Sequence, residues 1–331
     1  MSDILYIVGN GFDRYHGLDT RYQNFAFFLQ ENYPDMHQDL VVYYGLPDLD
    51  QEDPESVWDP LWAEFEKALA ELDFQAVLDD NRDLAANPSN ENFRDRDWHT
   101  YQIEMEMVVN RLTYDLCEAF REFILSVRFS DDYQSKVLEI DRNAIFLSFN
   151  YTKTMEQYYG VRHNNILYIH GYAQNNDERI ILGHAKDPSS FKPEEKQPPL
   201  GLNEEDMENW IEEASDSYDY SYEQAQFEIL TYFERSHKFT QEIINQNSNF
   251  FDDLKGVKKI VVLGHSLADV DQPYFRKIIA SVPDNTLWIV TYHFDKDKVA
   301  HLETLKQLGL NENQIELVIM DDIKPKQPEL F

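Results

Sequence analysis

Two polar residues near the middle of the chain, Asn150 and His170, are the first candidates for chemistry. Each follows a short apolar run that is typical of a buried β-strand. An amide such as that of Asn150 can hold a water molecule or a sugar hydroxyl, and the imidazole of His170 can accept a proton near neutral pH. Taken singly, Asn150 could be a strand-end turn residue and His170 a satisfied buried histidine. Because the two occur together after two strands, we predict that both are catalytic.

A glycine-rich segment follows the first strand-like run. Gly9 and Gly11 have no Cβ atom, so the backbone there can turn sharply and approach a ligand closely. If a helix begins at Phe12, its free amide groups favour a diphosphate nearby. Asp13 could then cap that helix or hydrogen-bond a ribose. The predicted nucleotide-binding residues of this segment are Gly9, Asn10, Gly11, Phe12, Asp13, His16 and Gly17.

A third polar segment follows a later apolar run. Ser266 and Asp269 could hydrogen-bond a ribose or an adenine edge, or they could cap a helix that begins near Asp271. Ligands of open α/β sheets bind where the carboxyl ends of the strands meet, so we expect all three segments to lie over one crevice. The predicted binding residues of this segment are Gly264, His265, Ser266 and Asp269.

Seven apolar runs predict β-strands, and several are β-branched runs of the kind found in buried parallel sheets. They are Ile4–Val8, Ala144–Phe149, Ile166–Ile169, Arg179–Leu182, Lys259–Leu263, Leu287–Tyr292 and Ile315–Met320. Helical patterns fill two long segments, approximately 20–140 and 188–256, and are clearest from His99 to Phe129. We predict a single α/β domain over residues 1–331. It is Rossmann-like, with a mostly parallel sheet and two helical insertions that form one helical lobe.

Composition narrows the classes of partner. The 331 residues include 62 acidic and 29 basic side chains, a formal charge of −33 that repels nucleic acids and anionic membranes. Cys117 is the only cysteine, which excludes a disulfide framework and a thiolate zinc module. The sequence has no secretory leader and no apolar run long enough to span a membrane, so we expect a cytoplasmic protein. A homo-oligomer is one expectation for its assembly.

The motifs resemble those of two related groups of proteins. Sirtuins and sirtuin-like NAD hydrolases share the glycines matched by Gly9, Gly11 and Gly17, the asparagine matched by Asn150, and a His-Gly pair matched by His170-Gly171. A late loop in those proteins is similar to Gly264-x-Ser266-Leu267.

The closer resemblance is to the AbiH family of bacterial abortive-infection proteins. That family opens with the same Gly-Asn-Gly-Phe-Asp and His-Gly, here at residues 9–13 and at His16-Gly17. It also has Phe-Asn-Tyr-Thr, Ile-His-Gly and Gly-His-Ser patterns. These correspond to Phe149–Thr152, Ile169–Gly171 and the segment from Gly264 to Phe275.

The resemblance implies a role in antiphage defence. It also implies NAD, or a related small-molecule nucleotide, as substrate or ligand, with hydrolysis of the nicotinamide glycosidic bond and no metal. A phage-derived trigger would be a further partner. The chain departs from the sirtuin pattern where Asp13 replaces a serine and Thr152 replaces an aspartate. Sirtuin deacylases also carry four zinc-binding cysteines that this chain lacks, so lysine deacylation is not expected.

Three alternatives remain open at the level of sequence. One is a nucleotide sensor that binds without cleaving, and another is an acidic interaction protein that mimics nucleic acid or binds a basic partner. The third is a metal-dependent nuclease. Its candidate ligands are Asp13, His16, His170, His184, His265, Asp269 and Asp271.

Overall fold

A six-stranded sheet with parallel pairing throughout lies at the centre of the computed structural model, which describes residues 2–174, 180–193, 197–199, 201–216 and 219–325. The strands are β1 (Ile4–Val8), β2 (Ile145–Ser148), β3 (Ile166–Tyr168), β4 (Lys259–Leu263), β5 (Leu287–Tyr292) and β6 (Ile315–Ile319). Their order across the sheet is β3-β2-β1-β4-β5-β6. This is the strand order of the Rossmann fold, whose ligand crevice lies where the order reverses, between β1 and β4. The predicted α/β class with a parallel sheet is confirmed.

Alternating side chains bury both faces of the sheet. On β1, Leu5 and Ile7 enter one apolar cluster, whereas Tyr6 and Val8 enter the cluster on the opposite face. Successive residues of a strand point to opposite faces, so a strand covered on both sides is apolar throughout. This explains why the β1 sequence is a continuous apolar run.

Helices fill the chain between the strands. The α-helices among the described residues are α1 (Asn10–Tyr15), α2 (Tyr22–Asn32), α3 (Pro34–Tyr44), α4 (Pro60–Ala63), α5 (Phe65–Ala68), α6 (Phe74–Asp80), α7 (Thr100–Asn110), α8 (Leu116–Ser126), α9 (Thr154–Tyr159), α10 (Glu204–Asp216), α11 (Tyr220–Arg235), α12 (Thr240–Gln246), α13 (Ser248–Asp252), α14 (Gln272–Ser281) and α15 (Asp295–Gln307). A π-helical stretch, Arg111–Asp115, joins α7 to α8. None of the helices in the described ranges is long and apolar enough to cross a membrane.

The two long helical segments share one core. Helix α7, between β1 and β2, packs along α11, between β3 and β4. Phe25 and Phe120 from the first segment lie in the same buried cluster as Ile229 and Tyr232 from the second. The predicted helical lobe is therefore present and combines both insertions. That residues 1–331 form a single domain stays a prediction.

The predicted strand at Arg179–Leu182 is wrong for its described part. Residues 180–182 lie outside the sheet, and Arg179 lies outside the described residues. Ile180 and Leu182 enter the core of the helical lobe, whereas Ile181 packs against a sheet cluster. The apolar run thus links two cores, and its backbone is held instead by a hydrogen bond from the Ile181 N–H to the His170 carbonyl.

The loops that follow β1 and β4 approach too closely for a side chain between them. The Gly11 N–H donates to the Gly264 carbonyl at 2.7 Å, and a Cβ on Gly11 would lie 2.7 Å from that oxygen and 2.8 Å from the Gly264 Cα. Gly264 also has a φ of +64°, which favours glycine. Glycine is therefore required on both sides of this contact.

Gly11→Ala should lower the free energy of unfolding by about 1–3 kcal/mol, because the added methyl group would force apart two backbones. Gly256→Ala is the matched control, since a Cβ there would have no neighbour within 4 Å. Urea denaturation of both variants measures the difference. Equal stability of the two variants would contradict this account of the β1–β4 contact.

Candidate functional site

The three polar segments converge at the carboxyl edge of the sheet, as expected. A Cβ on Gly9 would lie 2.6 Å from the His265 Cα, so the first and third segments are in contact. The ring of Phe149, at the end of β2, lies 4.4 Å from the His265 ring and 5.4 Å from the His170 ring. The segments therefore surround one position next to the point where the strand order reverses.

The first segment uses its backbone groups within the protein. The Gly9 N–H donates to the Leu263 carbonyl, just as the Gly11 N–H donates to that of Gly264. The Asn10 amide donates to the Thr20 carbonyl and accepts from the Thr20 hydroxyl. The close approach that these glycines permit is thus made by the β4 loop. Their contact with a nucleotide stays a prediction.

His16 and Phe12 also have structural contacts. His16 Nδ1 lies 2.8 Å from the Phe12 carbonyl, so it carries the proton, and Nε2 accepts from the Tyr159 hydroxyl at 2.7 Å. The ring of Phe12 is fully buried and lies 4.4 Å from the His16 ring. Gly17 has a φ of +83° and ends the turn after α1. Both ring nitrogens of His16 are therefore already bonded.

Asp13 and Asn150 form the first buried polar group of the site. Asp13 Oδ2 accepts from the Thr152 hydroxyl at 2.5 Å, while its Oδ1 is buried with no hydrogen-bond partner among the described residues. Burial raises the pKa of Asp13 to about 6, against the opposing hydrogen bond from Thr152. A carboxyl group that titrates this close to neutrality suits proton transfer.

Asn150 is 5% exposed, and both polar atoms of its amide are buried without a hydrogen bond of normal geometry within the described structure. The amide lies near enough to Asp13 to help to stabilise its carboxylate. Leaving a buried amide unsatisfied costs free energy, and such groups call for a specific explanation. A ligand or a water molecule held by Asn150 would supply one.

The second buried group centres on Asp271. His265 Nε2 lies 3.4 Å from Asp271 Oδ2, and His170 Nε2 lies 3.8 Å from Oδ1. The Leu267 N–H donates to His265 Nδ1, so the proton of a neutral His265 ring is on Nε2, facing Asp271. His170 Nε2 also lies 3.3 Å from the Tyr274 hydroxyl. Asp271 thus brings together two of the histidines that sequence analysis selected.

Lys238 and Glu66 complete this second group, and sequence analysis missed both. The Lys238 side chain is fully buried, with Nζ 2.9 Å from Glu66 Oε2 and 3.8 Å from Asp271 Oδ1. Glu66 Oε1 accepts from the Tyr151 hydroxyl at 3.2 Å. Neither residue belongs to a motif. No local pattern in the sequence marks either residue, because the partners of both are remote in the chain.

The charges in this group shift its pKa values in different directions. Burial lowers the pKa of His170 well below its usual value, and Lys238 lowers it further, so the ring is neutral at neutral pH. Burial acts to raise the pKa of Asp271, but Lys238, the hydrogen bond from His265 and the neighbouring histidines together outweigh it, so the pKa is lowered. For Glu66, burial dominates and the pKa is raised. His170 can therefore accept a proton, but only as a weak base.

The remaining predicted residues of the third segment are at the surface. Ser266 is exposed, and Asp269 is exposed and accepts from the Gln272 side chain at 2.6 Å, at the start of α14. Between them, Leu267 has a φ of +57°, a backbone conformation that is unfavourable outside glycine. That conformation directs its N–H at His265. A nucleotide contact of Ser266 or Asp269 stays a prediction.

The candidate metal ligands do not assemble into one ligand set. Among the residues that the structure describes, no three His, Cys, Asp or Glu side chains are arranged to hold a metal ion. His184 is buried beside His237, with ring centroids 5.6 Å apart, rather than in the Asp271 group. The geometry therefore gives the nuclease alternative no support.

Lys238→Met should lower the free energy of unfolding by roughly 3–5 kcal/mol, because Glu66 and Asp271 would be left buried without their cation. Adding Glu66→Gln should restore part of that loss. Lys258→Met is the control, since Lys258 forms an exposed ion pair with Asp3 and should change stability by less than about 1 kcal/mol. Chemical denaturation with equal losses for Lys238→Met and Lys258→Met would refute the role of Lys238.

Asp13→Asn should stabilise the protein at neutral pH. The folded state holds the Asp13 proton up to about pH 6, whereas the unfolded state releases it near its usual value of 3.8, so stability falls as pH rises between them. Removing this titratable group should raise the free energy of unfolding by on the order of 2–3 kcal/mol above pH 6, and should change it little below pH 4. Urea denaturation over this pH range, with exposed Asp19→Asn as control, measures it. An unchanged pH dependence in Asp13→Asn would contradict the raised pKa.

Comparisons with known proteins place this chain by family. The model of the family described as "Bacteriophage abortive infection AbiH" matches residues 5–292, which include β1 from its second residue, β2 to β5 and all three polar segments. No curated protein and no solved structure matches the chain, and the resemblance to sirtuins gains no support from these comparisons. Because the family model covers most of the sequence, the chain belongs to the AbiH family of bacteriophage abortive-infection proteins.

Proposed function

We propose that the protein binds NAD, or a closely related nucleotide, and hydrolyses its nicotinamide glycosidic bond as its part in abortive infection. The observation that carries this proposal is the buried pair of Asp13 and Asn150: a carboxyl group with a pKa of about 6 beside an amide that forms no hydrogen bond of normal geometry with the described residues. The pair lies at the carboxyl ends of β1 and β2, next to the crevice in which Rossmann-ordered sheets bind dinucleotides.

Hydrolysis of the nicotinamide glycosidic bond requires only a base and a group that orients the attacking water. Water attacks the ribose C1′ carbon as the bond to nicotinamide breaks, and the bonding electrons leave with nicotinamide, which becomes neutral. Ionised Asp13 accepts the proton that the attacking water loses, and the Asn150 amide orients the water or a ribose hydroxyl. The products are nicotinamide, ADP-ribose and one proton. No proton has to be supplied to the leaving group.

His170 has a different function in this proposal from the one predicted. Its low pKa and its burial make it a weaker base than Asp13 at neutral pH. Its neighbours, Tyr274 and Asp271, fix its ring beside Phe149. We assign to His170 the positioning of the β2 loop that carries Asn150.

The burial of the site implies control of access. Asp13, Asn150 and His170 are each at most 5% exposed. A nucleotide would reach them only after the helical lobe or the loops move, which suits an enzyme held inactive until infection. The burial of the site also favours a second candidate function, a sensor in which nucleotide binding rearranges the helical lobe without bond cleavage.

In phage-infected cells that produce the protein, NAD should fall while nicotinamide and ADP-ribose rise. Asn150→Ala and Asp13→Asn should each slow this loss about 100-fold or more, because each removes a group that acts on the attacking water. Exposed Asn245→Ala is the control and should behave as wild type. Chromatography of cell extracts measures all three metabolites.

The pH dependence of the purified, active protein gives a second readout. Turnover should fall as pH drops through about 6, because protonated Asp13 cannot accept a proton. His170→Ala should reduce turnover but keep this pH profile. If the infected cell population survives while NAD stays intact, the proposed hydrolysis is overturned. The nucleotide sensor is then the remaining candidate function.

A further inference from the structure

Two arginines and one tryptophan form a cationic surface group beside the site. The Arg14 guanidinium carbon lies 5.7 Å from the centre of the Trp58 ring, and that of Arg21 lies 4.8 Å from it. Arg14 is on α1 directly after Asp13, and Arg21 directly precedes α2. The Trp58 side chain is half exposed, at 49%. Solvent therefore reaches the ring on which both cations lie.

The positive charge of this group is poorly balanced. Neither arginine forms an ion pair within 4.0 Å of a carboxylate that the structure describes, and the Nε atoms of both are buried without a hydrogen-bond partner there. Burial lowers the pKa of Arg14, and the charge of Arg21 lowers it further, whereas the charge of Asp297 acts to raise it. In a chain with 62 acidic residues, two adjacent arginines without a close carboxylate are conspicuous.

We propose that Arg14, Arg21 and Trp58 bind the phosphate groups of a nucleotide. Guanidinium groups donate paired N–H bonds to phosphate oxygens, and two of them match the charge of a diphosphate. The exposed indole offers a face on which a base can stack. The net charge of −33 opposes a long polyanion much more than a small nucleotide, so the group is unsuited to a nucleic acid.

The location connects this group with the β1 loop. The hydrogen bonds between Asn10 and Thr20 hold the residue before Arg21 against the glycine-rich segment. The binding of phosphate does not depend on the proposed cleavage of a glycosidic bond. A protein that binds ADP through these arginines but leaves NAD intact would support this inference while overturning the hydrolase.

Calorimetric titration of the full chain with ADP, pyrophosphate and adenosine tests the inference at constant ionic strength. Wild type should bind ADP, and adenosine much more weakly. Combined Arg14→Gln and Arg21→Gln should weaken ADP binding about tenfold or more, since charge-assisted hydrogen bonds are lost. The matched control combines Arg142→Gln and Arg162→Gln, which remove the same charge from exposed positions before β2 and β3.

A comparison of ADP with pyrophosphate distinguishes binding of a nucleotide from binding of phosphate alone. If Trp58→Leu weakens the binding of ADP but not that of pyrophosphate, the group binds a nucleotide. Equal effects on both ligands would indicate that phosphate alone is bound and would overturn the base-stacking part. No binding of ADP or pyrophosphate to wild type, or equal losses in the two double variants, would overturn the inference. Thermal melting verifies that each variant is folded.

Discussion

The fold of this protein depends most on the ion pairs that the buried ammonium group of Lys238 forms with two carboxylates. The ammonium group lies between Glu66 of the first helical insertion and Asp271 of the β4 loop, and Lys238 itself comes from the second insertion. A buried charge is tolerated only when its partners are in place, so three distant parts of the chain are held in one arrangement. The same carboxylate, Asp271, faces His170 and His265. The packing of the lobe and the geometry of the site are thereby coupled.

The sheet could be predicted from sequence because its signals are local. A continuous β-branched run such as Lys259–Leu263 favours a buried strand in an α/β protein, and β4 occupies that segment. The apolar residues around Ile181 give a similar local signal, but their environment is a boundary between two cores, which only the tertiary structure defines. The helical lobe was predicted from periodicity, whereas the pairing of α7 with α11 depends on residues more than 100 positions apart.

The site was only partly accessible from sequence. Asp13, Asn150 and His170 could be chosen from sequence because they are polar and follow predicted strands. Their side chains are buried at the same edge of the sheet. Sequence could not assign their functions, because the pKa of Asp13 is raised by burial in the folded protein, where its neighbours Thr152 and Thr154 come from a remote part of the chain. Lys238 carried no motif at all, since its importance arises from carboxylates that are remote in the chain. A buried Asn150 amide without a hydrogen bond of normal geometry and a raised Asp13 pKa both cost folding free energy, which is typical of a functional site rather than of a stable core.

A crystal structure with the carbocyclic analogue of NAD, whose glycosidic bond cannot be hydrolysed, would show whether Asn150 and Asp13 face the reacting carbon. We expect a water molecule in contact with the carbon equivalent to C1′ that hydrogen-bonds to both the Asn150 amide and Asp13, and a helical lobe displaced from its position in the ligand-free protein. An analogue bound elsewhere on the protein, with Asn150 still buried and forming no such hydrogen bond, would contradict this expectation.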